Sequence, residues 1–193
     1  MSIFDRLLGS VRKPSERTAA AAPAPADAPV ERRKRARVDA RKGTRALIID
    51  DSPTVVATLR KALRSAGYET REALDAEHGL TLIEKEPPDL IFLDIILPGM
   101  NGFNALRTIR KTPASQHIPV IMISGNEHAT EQFYADRIGA DDFMKKPFSR
   151  HEIFARIEAL LDADLVPRRK GDLLRAATVP AAAAATAEAP LAP

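Results

Sequence analysis

Between residues 45 and 163, short apolar runs alternate with amphipathic stretches five times over, and this alternation constrains the fold more than any other feature of the chain. The runs are Ala46-Leu47-Ile48-Ile49, Tyr68 to Ala73, Leu90-Ile91-Phe92-Leu93, Pro119 to Ile123 and Asp142-Phe143-Met144. Continuous apolar runs of this length read as strands buried on both faces. The Tyr68 run is more polar and suits a sheet edge. Apolar residues recur at helical spacing between the runs, as in Val55, Val56, Leu59, Ala62, Leu63 and Ala66, or Ile153, Phe154, Ile157, Leu160 and Leu161. Five such units predict a parallel sheet with helices on both faces and right-handed crossovers.

The punctuation agrees with this period. Ser52 is placed to cap the first helix, with Pro53 at the first helical position, where its missing N–H costs nothing. Asp75 can cap the second helix, which carries Leu80, Leu82 and Ile83 and closes at Pro87-Pro88. The third bears Phe103, Leu106 and Ile109 and ends before Pro113. A helix from Glu127 to Ile138 precedes Gly139, and Ser149 with Glu152 reads as a capping box for the last helix.

The flanks differ in kind. Residues 1–45 hold 12 Lys/Arg against 5 Asp/Glu, whereas residues 46–162 hold 13 against 18, so an acidic domain carries a basic extension. Residues 1–13 place Ile3, Phe4, Leu7, Leu8 and Val11 at helical spacing, compatible with a short amphipathic helix docked on a partner or a membrane surface, and equally with a frayed terminus. Residues 14–44 read as an Ala/Pro-rich and basic linker, and residues 164–193 as a disordered Ala/Pro-rich tail. The basic run from Arg32 to Arg45 could bind nucleic acid or anionic lipid, but lacking interleaved aromatics it reads more readily as a solvated segment. Zero cysteines exclude disulfides and thiolate metal sites. With no apolar run long enough for a membrane span and no secretory signal pattern, the expected location is cytoplasmic.

The chemistry gathers where the strands end. The first strand leads into Asp50-Asp51, the third ends at Asp94, the fourth at Ser124, and Lys146-Pro147 follow the fifth. In open α/β sheets the carboxyl ends of the strands are where ligands bind. Each residue alone has a plain structural explanation as a cap or a surface group; their joint placement at four strand ends points to one site. Three clustered carboxylates repel one another unless a cation lies among them, and Mg²⁺, which binds through a few carboxylates and keeps other oxygen ligands, answers that need.

The stretches Ile49-Asp50-Asp51-Ser52, Leu93-Asp94 through Asn101-Gly102, Ile123-Ser124-Gly125 and Lys146-Pro147-Phe148 together resemble the receiver domain of a two-component response regulator. The resemblance implies a flavodoxin-like, doubly wound five-stranded sheet of order 2-1-3-4-5. It implies that Asp94 is the phosphoacceptor for a histidine kinase, and that Asp51, Asp94 and the Ile96 carbonyl hold Mg²⁺, with Asp50 acting through water. Ser124 would hydrogen-bond the phosphoryl group, Lys146 would pair with its charge through a residue preceding a cis proline, and Phe143 would turn inward as Ser124 moves. Ile96 offers no polar side chain to orient a hydrolytic water, whereas Asn126 does. Pro119 to Ser124 and Phe133 to Phe148 further resemble receivers of chemotaxis-like systems that control twitching motility.

The expected protein is thus a phosphoacceptor switch, monomeric or weakly dimeric, that turns over nothing beyond its own phosphorylation and signals by contact with a target protein. Two other readings stay open on sequence alone. In one the receiver gates nucleic-acid or anionic-surface binding by the basic segment. In the other the site is a Mg²⁺ hydrolase, for which no separate general acid is evident.

Overall fold

A computed structural model describes residues 37–125 and 129–178. Its five strands are β1 (Arg45–Ile49), β2 (Glu69–Ala73), β3 (Leu90–Asp94), β4 (Val120–Ser124) and β5 (Asp142–Lys145), all parallel and ordered β2-β1-β3-β4-β5. The central strands β3 and β4 are buried at every position, and β2 alternates, as its more polar sequence requires of an edge.

Successive side chains of a strand face opposite ways, and this sorts the apolar runs into two cores. Ile48, Phe92, Ile121, Ile123 and Met144 meet helices α1 (Pro53–Arg64) and α5 (Arg150–Glu158) through Leu59, Leu63, Ile153, Phe154 and Ile157. Leu47, Ile49, Ile91, Leu93 and Met122 meet α2 (Ala76–Lys85), α3 (Gly102–Lys111) and α4 (Ala129–Arg137) through Ile83, Leu106, Ile109 and Ala135. Each of the Leu, Ile, Phe and Met side chains among these contributes about 1.5–3 kcal/mol by leaving water, so the central strands anchor the domain.

The capping residues act at three helices. Asp75 accepts the His78 N–H at 2.7 Å, Asn101 that of Asn104 at 2.9 Å, and Ser149 that of Glu152 at 3.1 Å. Ser52 holds the N-cap position of α1 but makes no side-chain cap bond; its own N–H is taken by Asp50 Oδ1 at 2.9 Å. The start of the expected fourth helix, Glu127, lies outside the described residues, as do Asn126, the expected helix at residues 1–13 and most of the linker.

Both flanks of the domain carry structure that their composition conceals. Ala40 is buried in the core and donates its N–H to the Tyr68 hydroxyl at 3.1 Å, and the Arg37 guanidinium stacks 4.0 Å from the centre of the Phe154 ring. The linker therefore joins the domain before residue 45. At the other end, residues 164–178, expected to belong to a disordered tail, carry structure. Asp162 gathers the N–H groups of Asp164 and Val166, both at 2.9 Å, and the Arg168 side chain at 2.8 Å; Leu161 and Pro167 then bridge. A helix α6 (Lys170–Thr178) follows. Its first N–H, that of Lys170, is taken by Asp141 Oδ1 at 3.1 Å, and the Arg41 N–H reaches the Leu165 carbonyl at 3.1 Å. The ordering comes from polar contacts, local at Asp162 and distant at Arg41 and Asp141, not from local apolar periodicity: α6 buries no residue.

Asp141 is the centre of this attachment. Its side chain is 1% exposed, and it accepts from Arg110 at 2.7 Å, Val120 N–H at 2.9 Å and Arg169 at 3.2 Å besides Lys170. Arg110 also donates to the carbonyls of Gly139, at 2.7 Å, and Ile118, at 2.7 Å. Burial lowers the Arg110 pKa to about 10, partly offset by the charge of Asp141, so the guanidinium stays charged near neutrality.

Candidate functional site

At the carboxyl edge of the sheet, strand geometry delivers the charged residues to one place. β3 carries Asp94 to its last position, where it is 3% exposed. β1 ends at Ile49, so Asp50 and Asp51 are released from the alternation that would send them to opposite faces. Asp50 is fully buried, Asp51 is exposed, and one carboxylate oxygen from each of Asp50, Asp51 and Asp94 lies within 4.8 Å of the other two. Ser124 is buried at the end of β4, and Lys146 follows β5, donating its backbone N–H to the Ser124 carbonyl at 2.7 Å. The Lys146–Pro147 peptide is cis.

The Lys146 ammonium closes the site from that side. Nζ donates to Asp94 Oδ2 at 2.8 Å and lies 2.8 Å from Asp50 Oδ2, the second contact being an ion pair without hydrogen-bond direction. One ammonium among three carboxylates leaves an excess of negative charge. Burial raises the Asp94 pKa above the usual carboxylate range, against the pull of the Lys146 hydrogen bond. Burial also opposes the Lys146 charge, but its close contacts with the Asp50 and Asp94 carboxylates outweigh this and raise its pKa. Asp94 Oδ1 is buried with no hydrogen-bond partner among the described residues. A buried carboxylate oxygen without a donor is costly, and a hard cation coordinated by oxygens would relieve both that cost and the repulsion.

The remaining expected residues surround this centre. Ile96 lies in the loop after β3 with its side chain 57% exposed. Phe143 is half-buried on β5 and packs on the core that faces α2, α3 and α4. A cleft of about 360 Å³, lined by Thr54, Val55, Thr58, Gly125, Lys146, Pro147 and Phe148, opens beside the lysine.

One contact shaping the site escapes residue-type reasoning. Gly102 starts α3 directly beneath Asp94, donating its N–H to the Ile95 carbonyl at 2.9 Å. A Cβ at Gly102 would stand 2.0 Å from the Asp94 carbonyl oxygen and 3.0 Å from Ile95 Cα, both backbone atoms that cannot rotate away. The Gly102→Ala protein is expected to lose about 1–3 kcal/mol, as overpacking does, and to displace Asp94; thermal unfolding together with labelling by a small phosphodonor reads both. Wild-type values in both would mean that α3 has room to shift.

Comparison with known proteins places this geometry in company. Residues 46–158 match the family model of the response regulator receiver domain. Protein PilH of Pseudomonas aeruginosa is 35% identical over 117 residues, covering 61% of this chain and 97% of that protein. The DNA-binding dual master transcriptional regulator RpaA of Synechocystis is 36% identical over 125 residues, 64% of this chain but only 52% of RpaA. Among solved structures, a response regulator from Chloroflexus aurantiacus superposes with a TM-score of 0.59 at 33% identity, covering 61% of this chain and 96% of that one.

Proposed function

Because the chain belongs to the response regulator receiver family, a family of signalling switches, we propose that Asp94 is its phosphoacceptor. A carboxylate oxygen of Asp94 attacks the phosphorus of a phosphohistidine on a histidine kinase. The P–N bond breaks, the imidazole leaves with the bonding pair, and an acyl phosphate remains on Asp94. The observation that carries this reading is the state of the Asp94 carboxylate. One oxygen is fixed by Lys146 while the other is buried without a donor, beside two further carboxylates.

Lys146 balances the added charge, and Ser124 hydrogen-bonds a phosphoryl oxygen. The oxygen-only donor set fits Mg²⁺, which Asp51, Asp94 and the Ile96 carbonyl would hold, with Asp50 acting through water; when bound, it would supply the positive charge that in-line phosphoryl transfer requires. Phosphorylation draws Ser124 toward the new group and lets the Phe143 ring turn inward, and a target protein reads the surface of α4, β5 and α5. Catalytic turnover is confined to phosphorylation and hydrolysis at the chain's own Asp94. The resemblance of Pro119 to Ser124 and Phe133 to Phe148 to receivers of chemotaxis-like systems supports a place in such a system controlling twitching motility.

Exposure of the full chain to a small acyl phosphate, with intact mass as the readout, tests the reading. One phosphoryl adduct is expected with Mg²⁺ and none once a chelator is added. Equal labelling with and without the chelator would remove the metal from the scheme.

A further inference from the structure

The loop from Ile95 to Asn101 joins Asp94 to α3 and includes Ile96. Its ends are fastened by the Ile95 N–H to the Ile123 carbonyl at 3.0 Å and the Gly102 N–H to the Ile95 carbonyl at 2.9 Å. Leu97 is buried beneath it. The outer limb is held from a different element. Glu77, in the first turn of α2, extends across the gap, and its Oε1 accepts the Met100 N–H at 3.0 Å. The same oxygen would lie 2.9 Å from a Cβ at position 99, so the carboxylate rests against bare backbone there. Gly99 has φ +70°, which an L side chain rarely adopts, and its lack of a side chain is what admits Glu77.

We propose that Glu77 is a positioning residue for the phosphoryl-transfer site. It touches neither the metal nor the phosphoryl group. It tethers the loop between Asp94 and α3 and so fixes the Ile96 carbonyl relative to the Asp50, Asp51 and Asp94 carboxylates. The charge suits the place, since the N-terminus of α2 favours an anion and a backbone N–H bonds more strongly to a carboxylate than to a neutral oxygen. The proposal rests on the functional reading above for its consequence and on geometry alone for the tether.

Two variants of the full chain, Glu77→Ala and Glu77→Gln, separate the possibilities. In metal-free protein, amide hydrogen exchange at Met100 is expected to quicken in the alanine variant and stay near wild type in the glutamine variant, whose side-chain oxygen still accepts. By calorimetry, alanine should weaken Mg²⁺ binding about five-fold, the equivalent of one ordinary hydrogen bond. Glutamine should restore most of the affinity. Unchanged Met100 exchange in Glu77→Ala would overturn the tether. Equal weakening by both variants would overturn the positioning role, because it would assign the effect to long-range charge. A wild-type chain that takes up no phosphoryl group would instead fail the functional reading, with the Met100 exchange still deciding the tether.

Discussion

Asp94→Asn is expected to abolish phosphoryl uptake from a small phosphodonor in the presence of Mg²⁺, with intact mass showing only the unmodified chain. Asparagine keeps the size and planarity of the side chain but offers a neutral amide where an anionic oxygen must attack. Asp50 and Asp51, within 4.8 Å, remain as internal controls. An adduct that persists and maps to either of them would refute the assignment. The substitution is also expected to leave the fold intact. Burial raises the Asp94 pKa, so near neutrality the ionised side chain is better tolerated in the unfolded chain than in the folded one. In metal-free protein the Asn variant should unfold at the same temperature as wild type or higher. Loss of labelling accompanied by unfolding would leave the chemistry unassigned to Asp94, so the thermal scan belongs with the mass measurement.

The second large effect lies at the opposite edge of the sheet. Asp141→Ala removes the acceptor shared by Arg110, Arg169, Val120 N–H and Lys170 N–H. It leaves the Arg110 guanidinium, only 10% exposed, without its counter-charge. Breaking a buried pair by deleting one partner typically costs about 3–5 kcal/mol, and that loss is expected in denaturant unfolding. Hydrogen exchange in α6 should rise more than in β3, because α6 buries no residue of its own and its first turn is capped by Asp141. A loss below about 0.5 kcal/mol, the range of ordinary surface changes, would show that the cluster is ornamental.

The inner strands β1, β3 and β4 are readable because each is a largely continuous apolar run, and the site is readable because its members stand where the strands stop. Asp50, Asp51, Asp94, Ser124 and Lys146 all lie at strand exits, so the order of elements and the site followed from one pattern. What the pattern could not carry are contacts whose meaning lies in a distant partner. Residues 37–44 look like a basic linker until Tyr68 presents a hydroxyl to Ala40, and residues 164–178 look like a tail until Asp141 gathers Arg169 and Lys170. Ser52 has the right type for a cap, but the buried carboxylate of Asp50 takes its N–H, and the hydroxyl makes no cap bond. Glu77 is one more surface glutamate in sequence, and only the path of the loop at Gly99 brings backbone to it.

The Arg41–Leu165 bond joins the way into the domain to the way out of it. The stretch shared with the family, residues 46–158, ends inside that closure on both sides. Trimming the protein to its family boundaries would therefore discard the Ala40 contact, the Asp162 turn and both C-terminal partners of Asp141 together. The smallest piece that is recognisable as a receiver is smaller than the smallest piece that keeps all of this domain's own contacts.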